Sequence, residues 1–151
     1  MPLSPLTPAD IPEVMRIERL PGYDAFIGRW DEAEHAAEMA SPDARYYGLR
    51  DGDRLGGFVI LQKVREPSVR LRRIAVDGVE RGRGTQVLRE VMDRVFEDTE
   101  AQALHLDVHV DNARAHHVYV REGFMERGLF DPIHRLMEVP RTRWAQLRGR
   151  R

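Results

Sequence analysis

The 151-residue sequence contains no cysteine, which excludes disulfides, thiolate metal sites, iron–sulfur clusters and a cysteine nucleophile. Long hydrophobic runs are also missing. The longest covers residues 58–61, far below the ~20 residues that span a bilayer. The N-terminus has no apolar stretch typical of a signal peptide. From these absences we expect a soluble cytoplasmic protein with no membrane partner.

Lysine is almost absent as well, since 23 of the 24 basic residues are arginine. The formal net charge of −1 gives the chain no overall attraction to nucleic acid or anionic lipid. The charge is uneven, because residues 1–55 carry −5 and residues 140–151 carry +5. Two interpretations of the basic end remain: a solvated, partly disordered terminus, which we favour, or a surface for RNA or another partner.

The length and composition predict one globular domain. Hydrophobic residues make up 42% and charged residues 32% of the chain, an ordinary globular mixture, and the length fits a single domain. We expect a domain over residues 1–139, followed by an arginine-rich tail over residues 140–151.

The hydrophobic pattern predicts alternating helices and strands. Helical spacing and caps predict helices over residues 11–17, 31–39, 85–100 and 113–122. Alternation and turn residues predict strands over residues 44–49, 56–61, 69–76, 104–110 and 134–139, with another from residue 124. The order ααββ-βα-βα-ββ indicates an α/β fold, with a mixed α+β sheet whose parallel crossovers lie in the middle. The chemistry is expected there.

A glycine-rich loop precedes the strongest predicted helix. It reads Arg81-Gly82-Arg83-Gly84-Thr85. Glycines allow successive N–H groups to point into one concavity, and the following helix adds the positive end of its dipole. This arrangement favours a pyrophosphate, although a plain surface turn has the same composition. The loop lacks the Gly-Lys-Ser/Thr of a P-loop.

A second motif follows the next strand. Asn112 can cap a helix, Ala115 is small, and Tyr119 lies about two turns after Asn112. Gly123 and Phe124 end the helix and begin a strand. Taken alone, the motif is equally well explained as a capped amphipathic helix with Tyr119 in the core.

Together the two motifs, in this order and spacing, resemble the GNAT superfamily of acetyl-CoA-dependent N-acyltransferases. The detailed resemblance covers residues 69–128, and the helix and strand order extends it over the whole chain. It implies the GNAT fold, acetyl-CoA as co-substrate, no metal, and transfer of acetyl to a primary amine by direct attack. One position departs from the family, since Gln86 replaces a small residue at the end of the loop motif.

The resemblance also implies roles for individual residues. The backbone of Ile74 and Val76 would pair with the pantetheine arm, and the Val76 N–H would polarise the thioester carbonyl. Tyr119 would protonate the leaving thiolate, because a phenol is neutral at pH 7 and can donate a proton. The implied cofactor-binding residues are Ile74, Ala75, Val76, Arg81, Gly82, Arg83, Gly84, Thr85 and Asn112.

The amine must lose a proton, and Asp107 is our candidate base. It aligns with a glutamate that serves as the base in the ribosomal-protein alanine acetyltransferases, which this strand resembles. Pairing with a neighbouring arginine explains Asp107 equally well. His105 and His109 flank it on the same strand face and are candidate proton relays. A metal site from these three residues is disfavoured, because strand residues i and i+4 lie ~13 Å apart.

The acceptor is the part that the sequence predicts least. An acidic and aromatic segment that includes Tyr23, Asp24 and Trp30 suits an amine cation, but a solvated acidic helix face explains it nearly as well. A polyamine, an aminoglycoside-like amine, a protein N-terminus and a lysine all fit as acceptors. The oligomeric state is a separate question, and a homodimer is one possibility. A non-catalytic acyl-CoA-binding or sensing module is the alternative function. A third hypothesis is an RNA-associated protein that binds through the tail, although nucleic acid is the less favoured partner.

Overall fold

A computed structural model describes residues 3–21, 28–78 and 82–151 of the chain. Its centre is a seven-stranded sheet in the order β1-β2-β3-β4-β5-β7-β6. The strands are β1 (Ser4–Pro5), β2 (Arg45–Asp51), β3 (Arg54–Gln62), β4 (Ser68–Val76), β5 (Ala103–His109), β6 (Met125–Asp131) and β7 (His134–Pro140). Strands β4 and β5 run parallel, whereas the other neighbours described are antiparallel.

Five α-helices cover the sheet in the described part of the chain. They are α1 (Ile11–Glu18), α2 (Glu32–Ala40), α3 (Arg83–Asp98), α4 (Ala113–Arg121) and α5 (Arg141–Arg148). Helix α1 packs on one face through Val14 and Ile17, which join Phe58 and Ile60 in one buried cluster. Helix α3 packs on the opposite face in a larger cluster that also includes Trp144. The mixed α/β architecture predicted from the sequence is thus confirmed.

Helix α3 has the apolar stripe that the spacing predicts. Six of its residues are buried, namely Val87, Leu88, Val91, Met92, Val95 and Phe96. At α2, Asp31 accepts a hydrogen bond from the Glu34 N–H at 2.8 Å, and Glu34 accepts one from the Asp31 N–H at 3.1 Å. This capping box satisfies two N–H groups at the start of the helix.

Strand β4 contains a β-bulge, which explains its imperfect alternation. Leu61 of β3 pairs with Leu71, whereas Ile60 pairs with Arg73, so Arg72 is the extra residue. The bulge reverses which side chains face each side of the sheet. Leu71 therefore joins the α3 cluster, while Arg73 lies on the α1 face and bonds to Glu18 of that helix.

The parallel ladder between β4 and β5 is short. It has three pairs, from Ser68 with Ala103 to Arg70 with His105. Beyond them β4 continues its pairing with β3 as far as Val76, and β5 continues with β7 as far as its end. The two parallel strands therefore diverge toward their carboxyl ends, in the middle of the sheet.

The expectation of a partly disordered tail is wrong. Residues 141–148 form α5, whose Trp144 is buried against Phe96, with 5.1 Å between the ring centroids. Arg141 donates to the carbonyls of Phe96, Thr99 and Ala101 at 2.7–2.8 Å. Arg141, which looks like part of a solvated basic tail in the sequence, thus binds the C-terminal end of α3 and the residues that follow it. Strand β1 is a further element that the sequence pattern does not predict.

No helix in the described ranges is long and apolar enough to cross a membrane.

Candidate active site

A cleft of about 340 Å³ opens where β4 and β5 diverge. Strand β4 contributes residues 70–74, β5 contributes residues 106–109, and α4 contributes Tyr119. The β6–β7 hairpin closes one side with Phe130 and His134. The cleft therefore lies at the carboxyl ends of the two parallel strands, where a ligand in an open α/β sheet is expected.

The backbone of β4 presents one edge to this cleft. The Asp77 N–H donates to the Gly56 carbonyl of β3 at 2.8 Å. Because successive residues alternate between the two sides of a strand, Ile74 and Val76 direct their backbone groups to the cleft side. Ala75, which the resemblance also implied as a cofactor residue, turns its backbone to β3 and buries its side chain on the α1 face.

The glycine-rich loop begins α3 with a left-handed residue, Gly82 (φ +85°). The first helical hydrogen bond runs from the Gln86 N–H to the Gly82 carbonyl at 2.8 Å, so the N–H groups of residues 83–85 point beyond the helix end. A Cβ at Gly82 or Gly84 would meet nothing within 4 Å. This open helix end has the polarity that an anion requires. Arg81 lies outside the described residues.

Two arginines approach this helix end differently. Arg83 donates to the Asp77 carbonyl at 3.0 Å and lies 3.5 Å from the Asp51 carboxylate, so it braces the loop against the β2–β3 hairpin. Arg121 of α4 donates to the Thr85 hydroxyl at 2.7 Å and brings a second positive charge to the helix end. Sequence reasoning missed Arg121, because its position depends on how α4 packs beside α3.

Helix α4 brings Tyr119 into the cleft. The Asn112 side-chain oxygen accepts a hydrogen bond from the Ala115 N–H at 3.2 Å, which confirms the predicted cap. Tyr119 is half-buried and meets Phe124 edge to face, with 5.6 Å between the ring centroids. Both Asn112 and Tyr119 line the cleft.

Asp107 lines the cleft and pairs with an arginine. Arg70 of β4 donates to its Oδ1 at 2.7 Å, and Arg70 also lies over the Phe130 ring, 5.2 Å from the centroid. Both members of the pair are mostly shielded, since 19% of each side chain is exposed. Asp107 thus makes the arginine pair that was one of its two sequence-based interpretations. It also places a carboxylate at the cleft, as the other interpretation requires.

The histidines of β5 have different surroundings. His105 bonds to Ser68 at 2.7 Å, and burial, together with the charges of Arg70 and Lys63, lowers its pKa. His109 lines the cleft and meets His134 edge to face at 5.4 Å. Of the two proton relays suggested by the sequence, His109 is therefore the one that reaches the cleft. Within residues 3–21, 28–78 and 82–151, no three His, Asp or Glu side chains form a metal-ligating group.

The Trp30 ring already makes cation–π contacts with two guanidinium groups of the protein. The guanidinium carbons of Arg73 and Arg72 lie 4.5 Å and 5.3 Å from its centroid. The aromatic face that the sequence offered to an amine is thus used by the protein itself. Tyr23 and Asp24, the other two residues expected to bind the acceptor, lie outside the described residues.

A buried polar network lies beneath this end of the cleft, and no sequence pattern indicates it. Glu18 bonds to Arg73 at 2.9 Å and to His35 at 3.0 Å. His35 in turn bonds to the Tyr46 hydroxyl at 2.7 Å, and burial raises the pKa of that phenol. The network joins α1, α2, β2 and β4 and fixes the guanidinium of Arg73.

Comparison with known proteins identifies the family. The model described as the acetyltransferase (GNAT) family matches residues 11–124. The chain belongs to this family. The N-alpha-acetyltransferase RimI of Mycobacterium tuberculosis is 31% identical over 131 residues, which cover 82% of this chain and 78% of that protein. The chain is therefore an acetyl-CoA-dependent N-acetyltransferase, and the recognition made from the two sequence motifs is confirmed.

Solved structures of GNAT enzymes have the same fold. A variant of the spermidine N-acetyltransferase SpeG from Vibrio cholerae superposes with a TM-score of 0.79 at 17% identity, over 98% of this chain and 99% of that chain. The ribosomal-protein-S18-alanine N-acetyltransferase from Escherichia coli superposes with a TM-score of 0.75 at 25% identity, over 91% and 92%.

The residues present fit acetyl-CoA. The cleft edge at Ile74 offers backbone groups to an extended chain, and the open end of α3 at Gly82 and Gly84 offers N–H groups to a pyrophosphate. Gln86, the one departure from the loop motif, uses its backbone N–H inside the helix.

Proposed function

We propose that the enzyme transfers acetyl from acetyl-CoA to a primary amine by direct attack in the cleft between β4 and β5. The observation that carries the proposal is that one cleft is lined by the β4 edge at Ile74, by Asp107 and by Tyr119. When bound, acetyl-CoA supplies a thioester whose carbonyl carbon is the electrophile. The C–N bond forms as the C–S bond breaks, without a covalent link to the protein.

Three groups of the chain serve this reaction. The Val76 N–H polarises the thioester carbonyl, because a donor aimed at the developing oxyanion stabilises it more than the ground state. Asp107 accepts the proton that the amine loses, directly or through a water molecule. Tyr119 donates its proton to the departing sulfur, and the two transfers balance the charge of the overall reaction.

The far end of the cofactor binds at the start of α3. The N–H groups of residues 83–85, the hydroxyl of Thr85 and the guanidinium of Arg121 form a positive, donor-rich surface there. This assignment adds Arg121 to the loop residues that the sequence suggested.

Two classes of acceptor are suggested by the relatives. The Mycobacterium tuberculosis protein is named as an N-alpha-acetyltransferase, whereas the SpeG structures belong to a spermidine N-acetyltransferase. The more similar sequence favours an α-amine over a polyamine. A homodimer stays a prediction.

One observation favours the alternative of a non-catalytic acyl-CoA-binding module: Arg70 already occupies one oxygen of the candidate base. The RNA hypothesis loses its basis, because Arg141 and Arg143 of α5 bond to backbone carbonyls of the domain. Binding through the tail requires these groups to be available.

The test is release of the CoA thiol from acetyl-CoA in the presence of a panel of primary amines, with mass spectrometry of the acetylated product. A thermal melt with acetyl-CoA runs beside it. Ligand at 100 times its Kd stabilises a folded protein by about 2.7 kcal/mol, which a melt detects. We expect a melt shift and amine-dependent thiol release. A melt shift without acetylation of any amine would establish the binding module instead.

A further inference from the structure

The acceptor end of the cleft has more positive than negative charge. Three arginines of β4, Arg70, Arg72 and Arg73, line the cleft. Asp107 neutralises Arg70 at 2.7 Å. The other carboxylate in the lining, Asp131, bonds to a histidine of its own hairpin at 2.9 Å. The three arginines and two carboxylates of the lining leave one positive charge in excess, and Arg73 is also paired with the buried Glu18.

Arg73 is held firmly but only partly paired. Its side chain is 2% exposed, and its Nη1 donates to Glu18 at 2.9 Å. Its Nη2 is buried and has no hydrogen-bond partner among the residues that the structure describes. A buried charged donor without an acceptor is costly, and burial already lowers the pKa of Arg73. A ligand that brings an acceptor oxygen would remove this cost.

The unpaired Nη2 lies at the cleft wall next to Gly28. Gly28 lines the cleft, and a Cβ built on it would lie 3.4 Å from Nη2. Gly28 therefore places no side chain against this buried donor. Arg73 also directly precedes Ile74, and both residues line the cleft in which we propose acetyl transfer.

We propose that the acceptor is a primary amine that also carries a carboxylate, and that Nη2 of Arg73 binds this carboxylate beside Gly28. The proposal rests on the proposed acetyl transfer and specifies the substrate class of the same site. Arg72, which reaches the cleft from the bulge, adds a second positive charge. The carboxylate belongs either to a free amino acid or to an acidic side chain next to a peptide N-terminus.

The same charges act against a polyamine. A second ammonium group brought beside Arg72 would meet a like charge in a shielded site, where repulsion is screened less than in water. Trp30, the aromatic residue that would otherwise attract a cation, is already covered by the two guanidinium groups.

The experiment compares acceptors that differ in the carboxylate alone. Alanine is compared with alaninamide, and a peptide amide with glutamate in its second position is compared with the same peptide containing glutamine. Spermidine serves as the cation without an anion. In at least one of the two pairs, we expect kcat/KM to be at least tenfold higher for the acceptor with the carboxylate. In the first pair this preference would oppose the intrinsic chemistry, because the amide of alaninamide lowers the pKa of its amine and leaves more of it unprotonated. The pair that shows the preference identifies the source of the carboxylate.

Two variants of the site and one control assign the preference to Arg73. In R73K the ammonium still pairs with Glu18 but has no fork with a second donor, and in G28A a methyl group covers Nη2. Both should reduce the preference to below threefold, mainly through KM. The control is R65K, which makes the same exchange at an exposed arginine paired with Asp43. It should leave the preference unchanged.

Equal use of the members in both pairs, or a higher kcat/KM for spermidine, would overturn the proposal. A preference that persists in both R73K and G28A would overturn the assignment to Nη2. Calorimetric titration of the four paired acceptors into the CoA-bound enzyme provides a second readout without turnover. If no amine is acetylated, the proposed function fails, and the titration still decides whether the site binds a carboxylate.

Discussion

Arg70 of β4 bonds to Asp107 of β5 at 2.7 Å, directly beyond the last pair of the parallel ladder. The salt bridge spans the two strands at the point where they begin to diverge. It therefore sits at the closed end of the cleft, and its carboxylate serves both the structure and, in our proposal, the chemistry.

Replacing Asp107 with asparagine should lower kcat/KM for the amine by about 100-fold or more, the usual contribution of a general base. The asparagine keeps the shape and still accepts from Arg70, but it cannot take a proton. The loss should be largest near neutral pH and smaller at high pH, where the free amine is more abundant. Initial rates measured between pH 6.5 and 9.5 check this expectation.

The matched control for this variant is D107E, which keeps the carboxylate and extends it. D107E should retain most of the activity that D107N loses. If both variants lose activity equally and both melt at a lower temperature, Asp107 acts through the strand pairing, and another group is the base. The equilibrium Kd of acetyl-CoA separates the two cases, since a collapsed cleft would weaken it.

Replacing Tyr119 with phenylalanine should lower kcat by about 100-fold and leave the Kd of acetyl-CoA within twofold. The ring contact with Phe124 is retained in this variant, so the packing of α4 is preserved while the proton donor is removed. Stopped-flow thiol release and a thermal melt with acetyl-CoA measure the two quantities.

Phe124 offers a comparison for the same helix. A change of Phe124 to leucine disturbs the packing of Tyr119 and leaves the phenol in place. This variant should lower stability and reduce kcat much less than Y119F does. Full activity of Y119F would remove Tyr119 from the mechanism.

The pKa of His105 gives a prediction about pH and stability. Burial, with Arg70 and Lys63, lowers its folded pKa below the unfolded value of about 6.5. Between these two pKa values the unfolded chain binds the proton and the folded chain does not. The contribution of His105 to the stability of the folded state is therefore complete above pH 6.5. It is lost as the pH falls through the window down to the folded pKa.

Urea denaturation at pH 7.5 and 5.5 tests this effect. The wild type should lose more stability between these two pH values than H105N, because asparagine can still bond to Ser68 but does not titrate. A proton NMR titration of the imidazole measures the folded pKa directly. A value at or above 6.5 would contradict the prediction.

The sequence predicts the parts of this enzyme that depend on local pattern. The stripe of α3, the cap at Asn112 and the helix stop at Gly123 all follow from residue type and spacing. What it could not give is the set of contacts between distant elements. The bulge at Arg72 is an example, because only pairing with β3 shows which residue is extra.

The polar network shows the same limit more clearly. Glu18 lies 17 residues before His35 and 55 residues before Arg73 in the sequence, although it bonds to both. Each of the three residues has an ordinary place in its own helix or strand. Only the tertiary structure brings them together. The acceptor class that we propose depends on Arg73 of this network, whereas the composition of the sequence pointed to an amine cation at Trp30.

The C-terminal helix provides the last prediction. Trp144 is buried against Phe96, and its indole N–H donates to Asp93 of α3 at 2.8 Å. Its truncation to alanine should lower the free energy of unfolding by ~3–5 kcal/mol, as for other buried tryptophans. W144F keeps the ring packing and loses the hydrogen bond, so it should cost about 1 kcal/mol. Urea denaturation measures both.

Because α5 is part of the core, W144A should also release Arg141 from the end of α3. A W144A protein as stable as the wild type would show that residues 141–148 do not pack on the domain in solution, and the RNA hypothesis would then regain its basis.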